Sequence, residues 1–286
     1  MSRFQPPLGK PLETWMKSPG ALVTDADVAS DRAISEALRR ARVPGRVLSE
    51  ESSAALSHLE PVEGPQRSGK NARRVLLRQA LDANGLTWLI DPLCGTYPFS
   101  TGMVHWGVNI ALRRGAGLEL AALSLPALGE TLTALRGKGV TRNGRRWSPE
   151  PRFARPSLSK GKGEGGGPTV RLSEMAVGLE IDGGETWRKL MRRGLGWVPL
   201  CGQINTFASA AYPMGQVCLG RLSALVIYGV EPVHLAAGAA IALELGLKVT
   251  DAAGEPVDWS GDAELPVVVA GWPEVHRQLI EAMGRS

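Results

Sequence analysis

Cysteine and aromatic residues are scarce in this chain of 286 residues, and long apolar runs are absent. The three cysteines cannot form the disulfide framework of a small secreted domain. No apolar run reaches the ~20 residues that a helix needs to span a bilayer. The N-terminus also lacks the apolar stretch of a secretion signal. We therefore expect a cytoplasmic protein with reduced thiols and no membrane partner.

The charge balance is mildly basic, with 33 Lys and Arg against 28 Asp and Glu. A positive surplus of this size suits an anionic ligand, but it is also common on an ordinary solvated surface. The sequence contains no zinc-finger spacing and no basic motif rich in aromatic residues. We therefore expect a small-molecule ligand and no nucleic-acid partner.

Helices and strands alternate in the predicted secondary structure, which favours a layered α/β (α+β) architecture. Residues 24–42 are predicted to be helical, with Thr24 as the cap, acids in the first turn and arginines in the last. The glycine-rich stretch 157–168 is predicted to be a flexible surface loop, although a basic lid over an anion is an alternative. It would separate an N-terminal half (18–150) from a C-terminal half (169–286). Further strands are predicted at 46–49, 86–90, 106–113, 117–125, 130–136, 169–177, 222–228, 248–250 and 266–270, further helices at 183–193, 205–219, 234–245 and 274–283, and an irregular stretch at 52–75.

Four residues with reactive or metal-binding side chains lie where a predicted strand ends or a predicted helix begins. They are Glu50, Asp91, Cys94 and His234. Helix starts offer unpaired N–H groups and a positive dipole end, which attract phosphate. Carboxylates nearby would hold Mg²⁺, which prefers oxygen ligands. These positions therefore predict a site for a phosphorylated or other anionic ligand.

Several ordered motifs resemble those of the inositol monophosphatase superfamily, whose members are Mg²⁺-dependent phosphatases of small molecules. They are VTDAD at 23–27, SEES at 49–52, WLIDPLCGT at 88–96, LSLPALGETLTALRGKGVTRNG at 123–144 and VHLAAG at 233–238. Such motifs in order and at compatible spacing are far more specific than a lone glycine pattern. The resemblance extends from residue 18 to the end. It implies a single domain over residues 1–286, folded as an α-β-α-β-α sandwich that lacks the family's first helix, and a possible homodimer.

The resemblance also assigns a role to each matching position. Glu50 and Asp91 match metal-binding carboxylates, and Leu93 would offer its backbone carbonyl to a metal. Thr96 matches the hydroxyl that orients the attacking water, and Asp27 matches the acid beside it. The backbone N–H groups of Gly95 and Thr96 would bind phosphate at a helix start.

Two departures from the family pattern affect the same part of the site. Cys94 and His234 replace two aspartates that, with Asp91, surround the family's second Mg²⁺. Mg²⁺ accepts neither a thiol nor an imidazole readily. The resemblance therefore implies a rebuilt site rather than an ordinary Mg²⁺ phosphatase.

The favoured hypothesis is an enzyme of small-molecule metabolism that uses Cys94 as nucleophile and His234 as acid and base. Asp91, Glu50 and Thr96 would orient the substrate or water. A helix N-terminus would lower the pKa of the Cys94 thiol, and a helix start would keep the His234 ring neutral. The substrate would be anionic or polyol-like, and this hypothesis requires no cofactor.

Three alternatives use the same residues. Asp91, Cys94 and His234 offer oxygen, sulfur and nitrogen ligands, a mixed set that suits Zn²⁺. A metal-dependent phosphatase, with Mg²⁺ or Zn²⁺, would act on a sugar or inositol phosphate. A non-catalytic pseudophosphatase would only bind a phosphorylated ligand or partner.

Overall fold

The computed structural model of the protein describes residues 13–18, 21–51, 85–150, 170–181 and 195–285. In these ranges the helices are α1 (Asp25–Ala41), α2 (Thr96–Ser100), α3 (Ala211–Cys218), α4 (Pro232–Glu244) and α5 (Pro273–Met283). The strands are β1 (Thr14–Ser18), β2 (Ala21–Thr24), β3 (Arg46–Ser49), β4 (Leu86–Cys94), β5 (Gly107–Arg114), β6 (Gly117–Leu125), β7 (Glu130–Leu135), β8 (Gly139–Arg142), β9 (Arg145–Trp147), β10 (Ala176–Ile181), β11 (Gln203–Asn205), β12 (Ala224–Val230), β13 (Lys248–Thr250) and β14 (Leu265–Gly271).

The predicted cap of α1 is confirmed. The Thr24 hydroxyl accepts the N–H of Ala26, and the Asp27 carboxylate accepts the backbone N–H of Thr24. This reciprocal capping box satisfies N–H groups that the first helical turn leaves unpaired. Because it also holds Asp27 in place, the capping box is part of the site described below.

The first sheet has seven strands in the order β3-β4-β5-β6-β7-β8-β9. Its strands pair antiparallel except for β3 and β4, which are parallel. The predicted strands at 106–113, 117–125 and 130–136 are confirmed within one residue. The prediction missed β8 and β9, because Gly137 and the Asn143-Gly144 pair, which form hairpin turns here, were interpreted as the end of the meander.

The second sheet has five strands in the order β11-β10-β12-β14-β13. Strand β10 is parallel to β11 and β12, whereas β14 is antiparallel to both of its neighbours. The predicted strand at 169–177 is wrong in position, since residues 172–174 form a short 3₁₀ turn and β10 follows it. The predicted helix at 205–219 is too long, because residues up to 205 pair with β10 instead.

The helices separate and cover the two larger sheets in the predicted α-β-α-β-α order, and β1 and β2 pair as a separate two-stranded sheet. Helix α1 packs on the first sheet, α3 and α4 lie between the sheets, and α5 covers the second sheet. The apolar residues of α4 contact both sheets and form the largest core cluster, as the nearly all-apolar sequence of this helix predicts. Each sheet falls within one of the two predicted halves of the chain, and the single-domain boundaries stay a prediction.

Some predictions fall outside the described residues. They concern the N-terminal segment and the missing first helix, the irregular stretch at 52–75, the glycine-rich loop at 157–168 and the helix at 183–193. Within the described ranges, every helix is too short or too polar to cross a membrane.

Candidate functional site

An irregularity in β4 brings two site residues to the same side of the first sheet. Asp91 pairs with Asn109 and Cys94 pairs with Gly107, so three steps along β4 face two steps along β5. Side chains alternate between faces along a strand, and a one-residue bulge resets that alternation. Strand β4 therefore continues past the predicted end at Ile90, and the bulge directs both Asp91 and Cys94 toward the layer that holds α3 and α4.

The third residue of this cluster, His234, comes from the first turn of α4. Pro232 begins the helix, and the Asn109 amide donates a hydrogen bond to the His234 carbonyl at 2.9 Å. The His234 ring then reaches Asp91, with 2.6 Å between Nδ1 and Oδ2. The other Asp91 oxygen accepts the N–H of Leu93 at 3.1 Å. Asn109 thus holds the start of α4 directly opposite the carboxylate that its histidine contacts.

Cys94 completes the cluster, and backbone donors surround its sulfur. The N–H groups of Ala210 and Ala211, at the start of α3, each lie 3.2 Å from Sγ, and the Ser209 hydroxyl lies 3.6 Å away. The candidate ligand atoms of Asp91, Cys94 and His234 all lie within 4.8 Å of one another. We call these three residues the O/S/N cluster.

The electrostatics of the O/S/N cluster contradict two sequence expectations. Burial, followed by the negative charge of Asp91, raises the pKa of the Cys94 thiol to about 12, despite the helix N-terminus that faces it. Burial alone would lower the pKa of His234, but its contact with Asp91 outweighs this effect and raises that pKa well above the ordinary value. For the protein without a metal, both shifts run opposite to the expected activated thiolate and neutral ring: they favour a protonated thiol and a cationic ring.

The residues expected to orient water lie together at the start of α2. Thr96 donates its hydroxyl to Asp27 Oδ1 at 2.9 Å, and its oxygen lies 3.3 Å from the Leu93 carbonyl. Gly95 precedes them with φ +98°, where an added Cβ would lie 2.8 Å from the His105 carbonyl oxygen. Only glycine adopts this backbone without strain. Glu50 is partly buried and close enough to His234 to raise the pKa of the ring.

The residues present fit one of the two magnesium ions that the family resemblance implies. By the resemblance, Glu50, Asp91 and the Leu93 carbonyl would bind this ion together, and their all-oxygen donor chemistry suits Mg²⁺. Asp91 is completely buried; one of its oxygens contacts His234, and the other accepts the Leu93 N–H. The O/S/N cluster does not fit Mg²⁺, because two of its three donors are sulfur and nitrogen.

Sequence reasoning missed three residues that position the site. Asn109 was predicted only as part of a strand. The signal that could have singled it out is a polar residue within a mostly apolar stretch. Ser209 was missed because the predicted helix began at residue 205, which placed this residue inside the helix instead of just before it. Glu180 accepts the N–H groups of Phe207 and Ala208 at 2.6 and 3.0 Å, and so anchors the loop that leads to α3.

The sandwich and its carboxylate–hydroxyl site define a phosphatase-like fold. The sequence model of the inositol monophosphatase family matches residues 1–286, and the chain belongs to this family. Nus factor SuhB of Pseudomonas aeruginosa is 30% identical over 232 residues, which cover 81% of this chain and 73% of that protein. Nus factor SuhB of Pasteurella multocida is 28% identical over 242 residues, covering 84% and 75%.

Solved structures agree on the fold. The extragenic suppressor protein SuhB of Bartonella henselae matches with a TM-score of 0.68 at 22% identity, over 96% of this chain and 89% of that one. The inositol monophosphatase of Thermotoga maritima matches with a TM-score of 0.66 at 22% identity, over 96% and 88%. The predicted family and layered α/β fold are therefore confirmed.

Proposed function

We propose that the protein is a metal-dependent phosphatase of small anionic substrates, with the water-orienting half of the family site intact. The observation that carries this proposal is the 2.9 Å hydrogen bond from Thr96 to Asp27 beside the Leu93 carbonyl. Membership of the inositol monophosphatase family supports a small phosphorylated substrate. This function was an alternative in the sequence analysis, and the geometry supports it better than a cysteine nucleophile.

Thr96 is suited to relay a proton from water to Asp27. Its single hydroxyl proton goes to the nearby carboxylate, which leaves the hydroxyl oxygen able to accept a hydrogen bond from water. As that water attacks phosphorus, its proton passes to Thr96, and the Thr96 proton passes to Asp27. The Thr24 N–H and hydroxyl hold the other Asp27 oxygen at 2.8 and 2.6 Å, so the carboxylate keeps its orientation throughout.

The remaining groups bind the metal and the phosphate. Glu50, Asp91 and the Leu93 carbonyl would hold Mg²⁺, which supplies Lewis-acid polarisation of the phosphate when bound. The backbone N–H groups of Gly95 and Thr96 are candidates to bind phosphate oxygens. The O/S/N cluster lies where, by the family resemblance, the second metal would stabilise the leaving oxygen.

A thiol nucleophile is disfavoured by the environment of Cys94. The nucleophilic form of cysteine is the thiolate, and a pKa of about 12 leaves almost none at neutral pH. The residue is also only 4% exposed, which restricts access to a substrate.

The test is phosphate release from a panel of sugar, inositol and nucleoside phosphomonoesters, with Mg²⁺, Mn²⁺ and Zn²⁺ supplied separately. Thr96→Val should lower kcat by roughly 10²–10⁴-fold, the usual range for loss of general acid–base help. Thr101→Val is the matched control, because the Thr101 hydroxyl lies at the far end of α2 and donates to the carbonyls of Tyr97 and Pro98. Absence of release with every metal would refute the proposal, and phosphate-ester binding without turnover would favour the pseudophosphatase.

Three expectations about partners and compartment stay predictions. Two relatives carry the name Nus factor, and this chain was expected to have no nucleic-acid partner. That expectation needs a direct test, such as measuring whether RNA co-purifies with the protein. Homodimer formation would be measured by light scattering. The cytoplasmic location would be checked by cell fractionation.

A further inference from the structure

The donor chemistry of the O/S/N cluster differs in kind from that of a magnesium site. Asp91 offers a carboxylate oxygen, Cys94 a sulfur and His234 a ring nitrogen, all within 4.8 Å of one another. A thiolate and an imidazole are poor ligands for Mg²⁺ and good ligands for Zn²⁺. We infer that the O/S/N cluster binds a zinc ion, in the part of the site where relatives with three aspartates would bind magnesium.

The backbone builds the cluster from three separate constraints. The bulge in β4 places Asp91 and Cys94 on one face, and α4 begins so that His234 faces them. Asn109 ties the two parts together, since it pairs with Asp91 across the sheet and its amide holds the His234 carbonyl. The three donors therefore converge without a flexible loop, and a metal would not have to order the chain before it bound.

The surroundings of the sulfur match those of a metal-bound thiolate. Two backbone N–H groups, from Ala210 and Ala211, point at Sγ from 3.2 Å, and the loop before them is anchored by Glu180. Donors around a metal ligand orient it and stabilise its charge. The same N–H groups fail to ionise the thiol alone, but a bound cation displaces the thiol proton outright.

Charge and access also favour zinc at this position. With Asp91 and Cys94 both ionised, two negative ligands balance the two positive charges of Zn²⁺ inside a buried site, and a neutral His234 completes the set. Coordination would exchange the Asp91–His234 hydrogen bond for two metal bonds and release protons to solvent. Three protein ligands leave a fourth position for water or a phosphate oxygen, which is the arrangement of catalytic zinc sites. His234 retains 17% exposure, so the cluster opens to solvent on its side.

Only the role of zinc in turnover rests on the proposed function. The experiment that tests the inference therefore measures zinc binding and not turnover. The full-length protein is purified without chelator from zinc-supplemented cells, and its metals are quantified by mass spectrometry. Stoichiometric zinc is expected in the wild type and in Cys201→Ser, a control cysteine outside the cluster. The double variant Cys94→Asp/His234→Asp, which restores both of the family's carboxylates, should lose zinc and take up Mg²⁺ in its place.

A spectroscopic measurement covers the case in which the double variant does not fold. After zinc is removed and Co²⁺ added, the wild type should show a sulfur-to-cobalt charge-transfer band in the near ultraviolet. His234→Ala should lose the strong visible absorption that Co²⁺ shows in a tetrahedral site. A wild type without bound zinc and without this band overturns the inference, as does zinc retention by the double variant at the wild-type level. Zinc binding without phosphatase activity would overturn the proposed function alone.

Discussion

Replacing Asp27 with Asn separates the structural role of this residue from its proposed catalytic role. Asp27 is completely buried and accepts three hydrogen bonds, two from Thr24 and one from the Thr96 hydroxyl. In Asp27→Asn the amide oxygen keeps the two bonds from Thr24, and the amide NH₂ faces Thr96. The Thr96 hydroxyl then reverses its role, accepting from the amide and donating to the Leu93 carbonyl.

The energetic consequence for folding is modest. The substitution removes one hydrogen bond to a charged group, worth roughly 1.5–3 kcal/mol, and regains part of it through the amide. We expect Asp27→Asn to lower the free energy of unfolding by about 1–3 kcal/mol, measured by urea denaturation. Asp27→Ala should cost more, because it leaves all three donors without an acceptor in a buried place.

The consequence for turnover is expected to be much larger. An amide cannot take the proton that Thr96 passes on, so kcat should fall by roughly 10²–10⁴-fold with saturating metal. Asp31→Asn is the matched control, because Asp31 lies on the same helix and bonds the Ser49 hydroxyl rather than Thr96. If Asp27→Asn keeps the kcat of Asp31→Asn while its stability falls as expected, the assignment of Asp27 as proton acceptor is refuted.

Three further predictions concern the rest of the molecule. In metal-free protein, Cys94 should react with iodoacetamide about 10³-fold more slowly at neutral pH than an unperturbed thiol, by peptide mass spectrometry; a comparable rate would contradict its raised pKa. Hydrogen bonding from Arg142 lowers the pKa of the Glu130 carboxyl, so its stabilisation is present above pH 4.5 and is lost as the pH falls through the folded pKa. Glu130→Gln should therefore be less stable than the wild type at neutral pH, with a difference in unfolding free energy that narrows in acid; a constant difference would contradict the pairing. Gly95→Ala should cost about 2–4 kcal/mol in urea unfolding, from positive-φ strain plus the clash with a carbonyl, whereas an unchanged stability would refute that geometry.

The elements that the sequence predicted well are those with strong local signals. The capping threonine of α1, the alternation of strands β5 to β7 and the apolar run of α4 depend on neighbours in the chain. Errors arose where long-range contacts decided the outcome. A helix was predicted to begin at residue 205, but residues 203–205 pair as a strand because β10 offers them hydrogen bonds.

The sequence by itself determined which chemical groups meet in the candidate site, because the motifs around residues 91–96 and 233–238 specify their types and order. Only the tertiary structure decided their ionisation. The amino acids suggest an activated thiol and a neutral imidazole. Burial and the adjoining Asp91 carboxylate instead raise the pKa of the Cys94 thiol, and the same carboxylate outweighs burial to raise the pKa of the His234 ring. The two backbone N–H groups that face the Cys94 sulfur carry no sequence signal, since every residue except proline has such a group. Where backbone donors point, and how much water reaches a charge, are properties of the packed molecule that no local pattern encodes.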